Sequence, residues 1–222
     1  MLCRFCFDIS MRSAVALCAG DEALWSLAGV PVVSHAARAL RDVADPVLIV
    51  VAGTPAAGAA VTAEFPDRPV LVEPGPLAAL CRLHALAAAD VDVVLLHDAI
   101  RALTPAALIG QVVAAVRAGT SAVAPLLPEH NTVKSVAEDG RVLSTVDRDM
   151  LRTVQSPYGF PRRSLDLLAG GLAEHCAPDA LAWLLGGGQL QALPGHPDGF
   201  AIDAAPARRL AERVLRNRLA VA

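Results

Sequence analysis

Cys3 and Cys6 form a C-x-x-C pair, a spacing that serves zinc ligation or thiol–disulfide exchange. A structural zinc takes about four ligands, and no second pair follows, because Cys18, Cys81 and Cys176 stand apart. The pair therefore reads as incidental, and five scattered cysteines read as reduced thiols of a reducing compartment. His35, His84, His130, His175 and His196 show no metal-ligand spacing, so no metal site is expected. No Ser-His-Asp or Cys-His arrangement is legible, since such groups meet in space and not in sequence. Near the C-terminus Arg208, Arg209, Arg213 and Arg216 read as a solvated helix face more readily than as an anion site. Three short stretches remain: Cys18-Ala19-Gly20 followed by Asp21 and Glu22, then Glu73 to Pro76, then His97-Asp98-Ala99-Ile100-Arg101.

The elements that must position these stretches alternate between strand and helix. Short runs rich in Val, Leu and Ile predict strands over residues 13–18, 47–51, 70–72, 91–96 and 121–126. Their near-continuous apolar content suits strands buried on both faces of a mostly parallel sheet. Helices are expected over 34–41, 55–64, 77–89 and 105–118, the last opened by a Thr104 cap before Pro105 and stopped by Gly119. Asp139-Gly140 signals a hairpin in which both turn residues take positive φ, so residues 129–149 read as a β-arm leaving the sheet. Helices over 161–173 and 179–185, a strand over 189–193 and a helix over 204–220 complete the pattern, with Leu210, Val214, Leu215 and Leu219 on one side of that last helix. A sheet of this kind binds ligands beyond the carboxyl ends of its strands, which is where the three stretches fall.

Length and charge bound the rest. The 222 residues suit one domain, taken as 13–222 with the arm included, and 1–12 read as a disordered or extra leader, with Met11 as an alternative start. A net charge of −3 lacks the basic stripe of a nucleic-acid binder. The uncharged stretch 46–63 is broken by Pro46, Gly53, Pro55 and Gly58, so no membrane span is expected. These features fit a cytoplasmic protein that handles small molecules.

Three segments resemble the 2-C-methyl-D-erythritol 4-phosphate cytidylyltransferase family. Leu95-Leu96-His97-Asp98-Ala99-Ile100-Arg101 is similar to its HDAAR, Asn131-Thr132-Val133-Lys134 to its DTxK, and Thr145-Val146-Asp147-Arg148 through Leu151 to Gln155-Ser156-Pro157-Tyr158-Gly159-Phe160 to its TxDRxxL…QTPQxF. The resemblance implies a Rossmann-like nucleotidyltransferase fold, a three-layer α/β sandwich with a protruding arm. It implies a homodimer in which the arm of one subunit covers the other's site. The implied chemistry joins CTP to methylerythritol phosphate with Mg²⁺ and releases pyrophosphate. By position Asp98, Arg101 and Ser156 would hold the sugar phosphate, with Thr132 and Arg148 from the partner's arm, and Ala19, Gly20 and Ala99 would line the nucleotide. Plainer readings stay open: Asp98 could cap the next turn, Arg101 could sit in a surface ion pair, and Thr132 suits a strand.

Three departures bear on activity. The family's AAGxGxRxxxxxPK loop cradles phosphates and brings an Arg and a Lys to the reacting phosphate. Here the corresponding text, Cys18 to Pro31, is shorter, has no GxR and no PK, and carries Asp21 and Glu22. Glu73 to Leu80 lacks the Arg and Ser of GGxxRxxSV, and Ala201 stands where KITxPxDL has its lysine. No catalytic residue is therefore assigned. Losing one preorganised donor slows a reaction roughly 10²–10³-fold, so a slow or silent enzyme is expected, with Arg12 or Arg82 as the cations that could substitute. Two other readings are a non-catalytic dimeric regulatory paralogue and a nucleotidyltransferase for another sugar phosphate. The second of these leans on Leu27 to His35, which echoes the LxGxPLLxH of many such enzymes.

Overall fold

The computed structural model describes residues 12–88, 90–170, 187 and 189–221. In chain order the strands are β1 (Arg12–Ala19), β2 (Ser26–Leu27), β3 (Val30–Pro31), β4 (Pro46–Gly53), β5 (Val70–Glu73), β6 (Val91–Asp98), β7 (Val123–Pro128), β8 (Val133–Val136), β9 (Val142–Val146), β10 (Arg152–Val154), β11 (Tyr158–Pro161) and β12 (Gln191–Pro194). The α-helices are α1 (Val32–Ala44), α2 (Pro55–Glu64), α3 (Pro76–Leu86), α4 (Ala106–Arg117) and α5 (Ala205–Val221).

The period-two pattern of the apolar strands resolves into two cores. Val15, Leu17, Ile49, Val51, Val93 and Leu95 face the layer of α1, α2, α4 and α5. Ala14, Ala16, Leu48, Val50, Val94 and Leu96 face α3 and the 3₁₀ segment Arg162–Gly170. Side chains that alternate across a strand can fill two layers at once only in a sheet covered on both faces, and a three-layer sandwich results. The main sheet runs β10-β7-β11-β6-β1-β4-β5, with β12 also on β7. β5, β4, β1 and β6 are parallel, whereas β11 is antiparallel to β6 and β10 to β7.

Several expectations are corrected. The 105–118 helix begins at Ala106 without a side-chain cap, because the Thr104 hydroxyl donates instead to Arg101 O at 2.8 Å. Thr54 supplies such a cap, accepting from Ala57 N at 3.3 Å. At Asp139-Gly140 only the glycine has positive φ, +84°; Gly140 N closes a turn on Ala137 O and Asp139 accepts from Arg141 N. That is one turn followed by a left-handed glycine, and the register of β8 on β9 shifts beside it. The turn with two positive φ values is Ala28-Gly29, between β2 and β3. The expected 161–173 helix is 3₁₀ over Arg162–Gly170, the 179–185 helix and residues 1–11 of the 1–12 leader lie outside the described residues, and Arg12 opens β1. On α5, Ala211 is buried and Val214 and Leu215 pack on the core, while Leu210 is exposed.

β10 and β11 were not expected from sequence. Pro157, Gly159 and Pro161 punctuate that segment as a loop would, yet Tyr158–Pro161 is wholly buried. Gly159 lies so close to α4 that a Cβ there would stand 2.5 Å from Val112 Cγ1, so the strand packs on the helix because its glycine has no side chain. The β8–β9 arm forms a separate two-stranded sheet. No helix among the described residues is long and apolar enough to cross a membrane.

Candidate functional site

β1, β4, β5 and β6 end together, and their exits form one mouth. The exits of β1 and β4 approach so closely that a Cβ on Gly53 would meet Ala19 O at 2.4 Å. Across β1 and β6, Ala99 N donates to Cys18 O at 2.8 Å. Ala19 and Ala99 are buried and Gly20 is exposed, so of the three nucleotide-lining candidates Gly20 presents backbone to solvent, and the Ala99 amide is already spent on Cys18.

Asp98 sits half-buried at the end of β6. Its Oδ1 accepts from Ile100 N at 3.3 Å, so it caps the following turn. Burial raises its carboxyl above the usual range. The Ile100 bond and the Arg101 charge oppose that rise, and the charges of Asp203 and Glu22 add to it. The charges of Glu22 and Asp203 are thus near enough to act on Asp98. The Cys18 thiol is pushed far up, first by burial and then by the charge of Asp98.

Ser156 is buried, and its hydroxyl is fully engaged. It accepts from Asp98 N at 3.1 Å and pairs with His97 Nδ1 at 2.9 Å. Arg101 is engaged too: Nη1 donates to Gly199 O at 2.8 Å and Nη2 to Val154 O at 3.1 Å. Both of these donors go to backbone carbonyls and not to a surface carboxylate. Arg101 clasps the loop that enters α5 onto the sheet.

That clasp has a second jaw, Gln155, which the sequence motif contains but gives no role. Gln155 is buried, and its side-chain amide donates to His196 O at 2.8 Å and accepts from His196 N at 2.9 Å, reproducing a strand pairing. Cβ atoms on Gly195 and Gly199 would come within 2.5 and 2.9 Å of Gln155, so both glycines make room for it. Arg218 completes the hold, bonding Leu103 O and the Asp198 carboxylate. The sequence signal was its place in the Gln155-Ser156-Pro157 motif, and its role was not legible because its partner lies 41 residues away.

Thr132 and Arg148 lie at the base of the arm. Arg148 Nη1 donates to His130 O at 3.0 Å, two residues before Thr132, and Arg148 and Thr132 are both exposed. Lys134, the chain's single lysine, lies on β8 and donates to Thr145 Oγ1 at 2.6 Å. Of the two cations expected to substitute at the mouth, Arg12 stands at the far end of β1, and Arg82 is paired with Glu73 at the exit of β5. Arg12 opens β1 and pairs with Asp90 at 3.2 Å, and the eight-residue strand puts it about 23 Å from the exit. Arg82 is bound by Glu73 at 2.5 Å. His35 Nε2 meets Leu27 O at 2.9 Å and so holds the β2–β3 hairpin. Among the described residues no three His, Cys, Asp or Glu side chains gather to hold a metal.

His97 is fully buried, and its ring is held far below the ordinary histidine value, at about 3, first by burial and then by the Arg101 charge. The ring stays neutral while the unfolded chain takes up a proton near 6.5. Stability is therefore fully present above pH 6.5 and lost as pH falls toward about 3. Between pH 6.5 and 4.5 the wild type should lose about 2 kcal/mol relative to a His97→Gln variant. Urea midpoints read at both pH values check this.

The family model described as 2-C-methyl-D-erythritol 4-phosphate cytidylyltransferase matches residues 18–217. A protein of that name from Saccharopolyspora erythraea is 39% identical over 203 residues, covering 87% of this chain and 90% of the relative. The crystal structure of a 2-C-methyl-D-erythritol 4-phosphate cytidylyltransferase from Thermus thermophilus superposes with a TM-score of 0.70 at 25% identity, over 91% of this chain and 98% of that one. A 4-diphosphocytidyl-2C-methyl-D-erythritol synthase from Anaerococcus prevotii shares the fold, with a TM-score of 0.75 at 15% identity over 93% and 97% of the two chains.

Proposed function

Because the chain belongs to the 2-C-methyl-D-erythritol 4-phosphate cytidylyltransferase family, we propose that it is a divergent member whose acceptor side is kept and whose CTP side is impaired. In the family reaction an oxygen of the acceptor phosphate attacks the α-phosphate of CTP and pyrophosphate leaves. A protein promotes such a transfer mainly by aligning the two partners and neutralising charge. The observation that carries the reading is the sign of the mouth. Asp98 ends β6 there, Glu22 and Asp203 are near enough for their charges to act on it, Arg82 is paired with Glu73 at the end of β5, Arg101 bonds two carbonyls, and the single lysine is on the arm.

On the acceptor side, Thr132 and Arg148 supply a hydroxyl and a guanidinium at the arm base, with Asp98 available for a sugar hydroxyl. The arm leaves Val136, Val142, Leu143 and Met150 more than half exposed, an apolar surface that supports its packing on a second copy. The test is calorimetric titration with 2-C-methyl-D-erythritol 4-phosphate. Saturable binding that Arg148→Ala weakens about tenfold or more is the expected result. No binding, together with a monomer at high concentration, would remove the acceptor half of the reading.

A further inference from the structure

The turn that stands in place of the phosphate loop treats its two carboxylates differently. Within the 3₁₀ turn Asp21–Leu24, Asp21 is exposed and Glu22 is half-buried. A Cβ built on Gly20 would lie 3.1 Å from Glu22 Oε2, so the Glu22 carboxylate folds back over the backbone of its own loop. Backbone bonds close the turn, from Ala23 N to Gly20 O and from Trp25 N to Glu22 O, each at 3.1 Å. Glu22 is also close enough to act on the Asp98 carboxyl, and Asp21 is not among the charges that do.

We propose that Glu22 is a specificity-determining residue: its carboxylate lies over Gly20 where a phosphate of a nucleotide would be cradled, and it excludes polyanions from the mouth. The inference rests on the impaired-donor reading and goes beyond it, since absent cations and an installed anion are separate obstacles. The second can be removed alone. Two like charges about 5 Å apart at an intermediate dielectric oppose each other enough to change affinity about tenfold, and a triphosphate offers several such charges.

The experiment titrates wild type, Glu22→Gln, Glu22→Ala and Asp21→Asn with CTP–Mg²⁺ and with inorganic triphosphate, after circular dichroism has confirmed that each is folded. Both Glu22 variants should bind both probes about tenfold or more tighter than wild type. Asp21→Asn, solvated and screened, should change either probe less than about twofold. If wild type binds weakly and both Glu22 variants bind no better, the Glu22 assignment is overturned while the impaired-donor reading stands. If wild type already binds CTP at micromolar concentration, both fall together, because the carboxylate then excludes nothing.

Discussion

Cytidylyl transfer from CTP to 2-C-methyl-D-erythritol 4-phosphate should run at least about 10⁴-fold slower with this chain than with the Saccharopolyspora erythraea relative, measured side by side as pyrophosphate release. The reacting phosphate gathers negative charge as its bond to pyrophosphate stretches, and only groups already aimed at it lower the barrier without reorganising. The family pattern brings an Arg and a Lys from the first loop and a Lys from the C-terminal segment. Here Asp21 and Glu22 lie in the first loop, and Ala201 is in the last segment. A single such donor is worth roughly 10²–10³ in rate. Groups that act as a unit do not add, so the deficit is set near the product of two losses and not three. Turnover within about tenfold of the relative would mean that another cation enters the mouth.

Replacing Arg101 with alanine should destabilise the fold by about 4 kcal/mol, read as a fall in urea midpoint at constant slope. Two charge-assisted bonds are lost, and Gly199 O and Val154 O lose their donor. Each such bond contributes about 1.5–3 kcal/mol, and the half-buried setting keeps the total toward the middle of the summed range. Arg101→Lys should recover less than half of it, because an ammonium cannot span two carbonyls with a planar fork. Hydrogen exchange at Ile202 N, which donates to Ile100 O at 2.9 Å, should quicken in the alanine variant as the loop comes loose. A loss under about 1 kcal/mol would mean that the two carbonyl bonds do not hold the loop.

The parallel half of the sheet was legible because β1, β4 and β6 alternate between two apolar cores and so are nearly continuous apolar runs, with Ser13 and Asp92 close to the starts of β1 and β6. The antiparallel half was not. Pro157, Gly159 and Pro161 are punctuation in a linear reading, and Gly159 becomes a strand residue only because α4 requires the space. The arm was legible from its hairpin signal, although the turn is of another kind, with Asp139 bonding locally instead of taking positive φ. The site was legible as a set and not as a network. Asp98, Arg101 and Ser156 do meet, but Ser156 and Arg101 spend their polar atoms on neighbours that lie 53 to 98 residues distant. Asp21 and Glu22 are adjacent in sequence and equal in charge. Only the 3₁₀ turn separates them, sending one to solvent and the other back over Gly20.

A calorimetric titration of the wild-type protein with CTP and Mg²⁺ tests the central claim most directly. An anionic mouth with its arginines already bonded predicts no saturable binding below about 1 mM. A dissociation constant near 10 μM would contradict it.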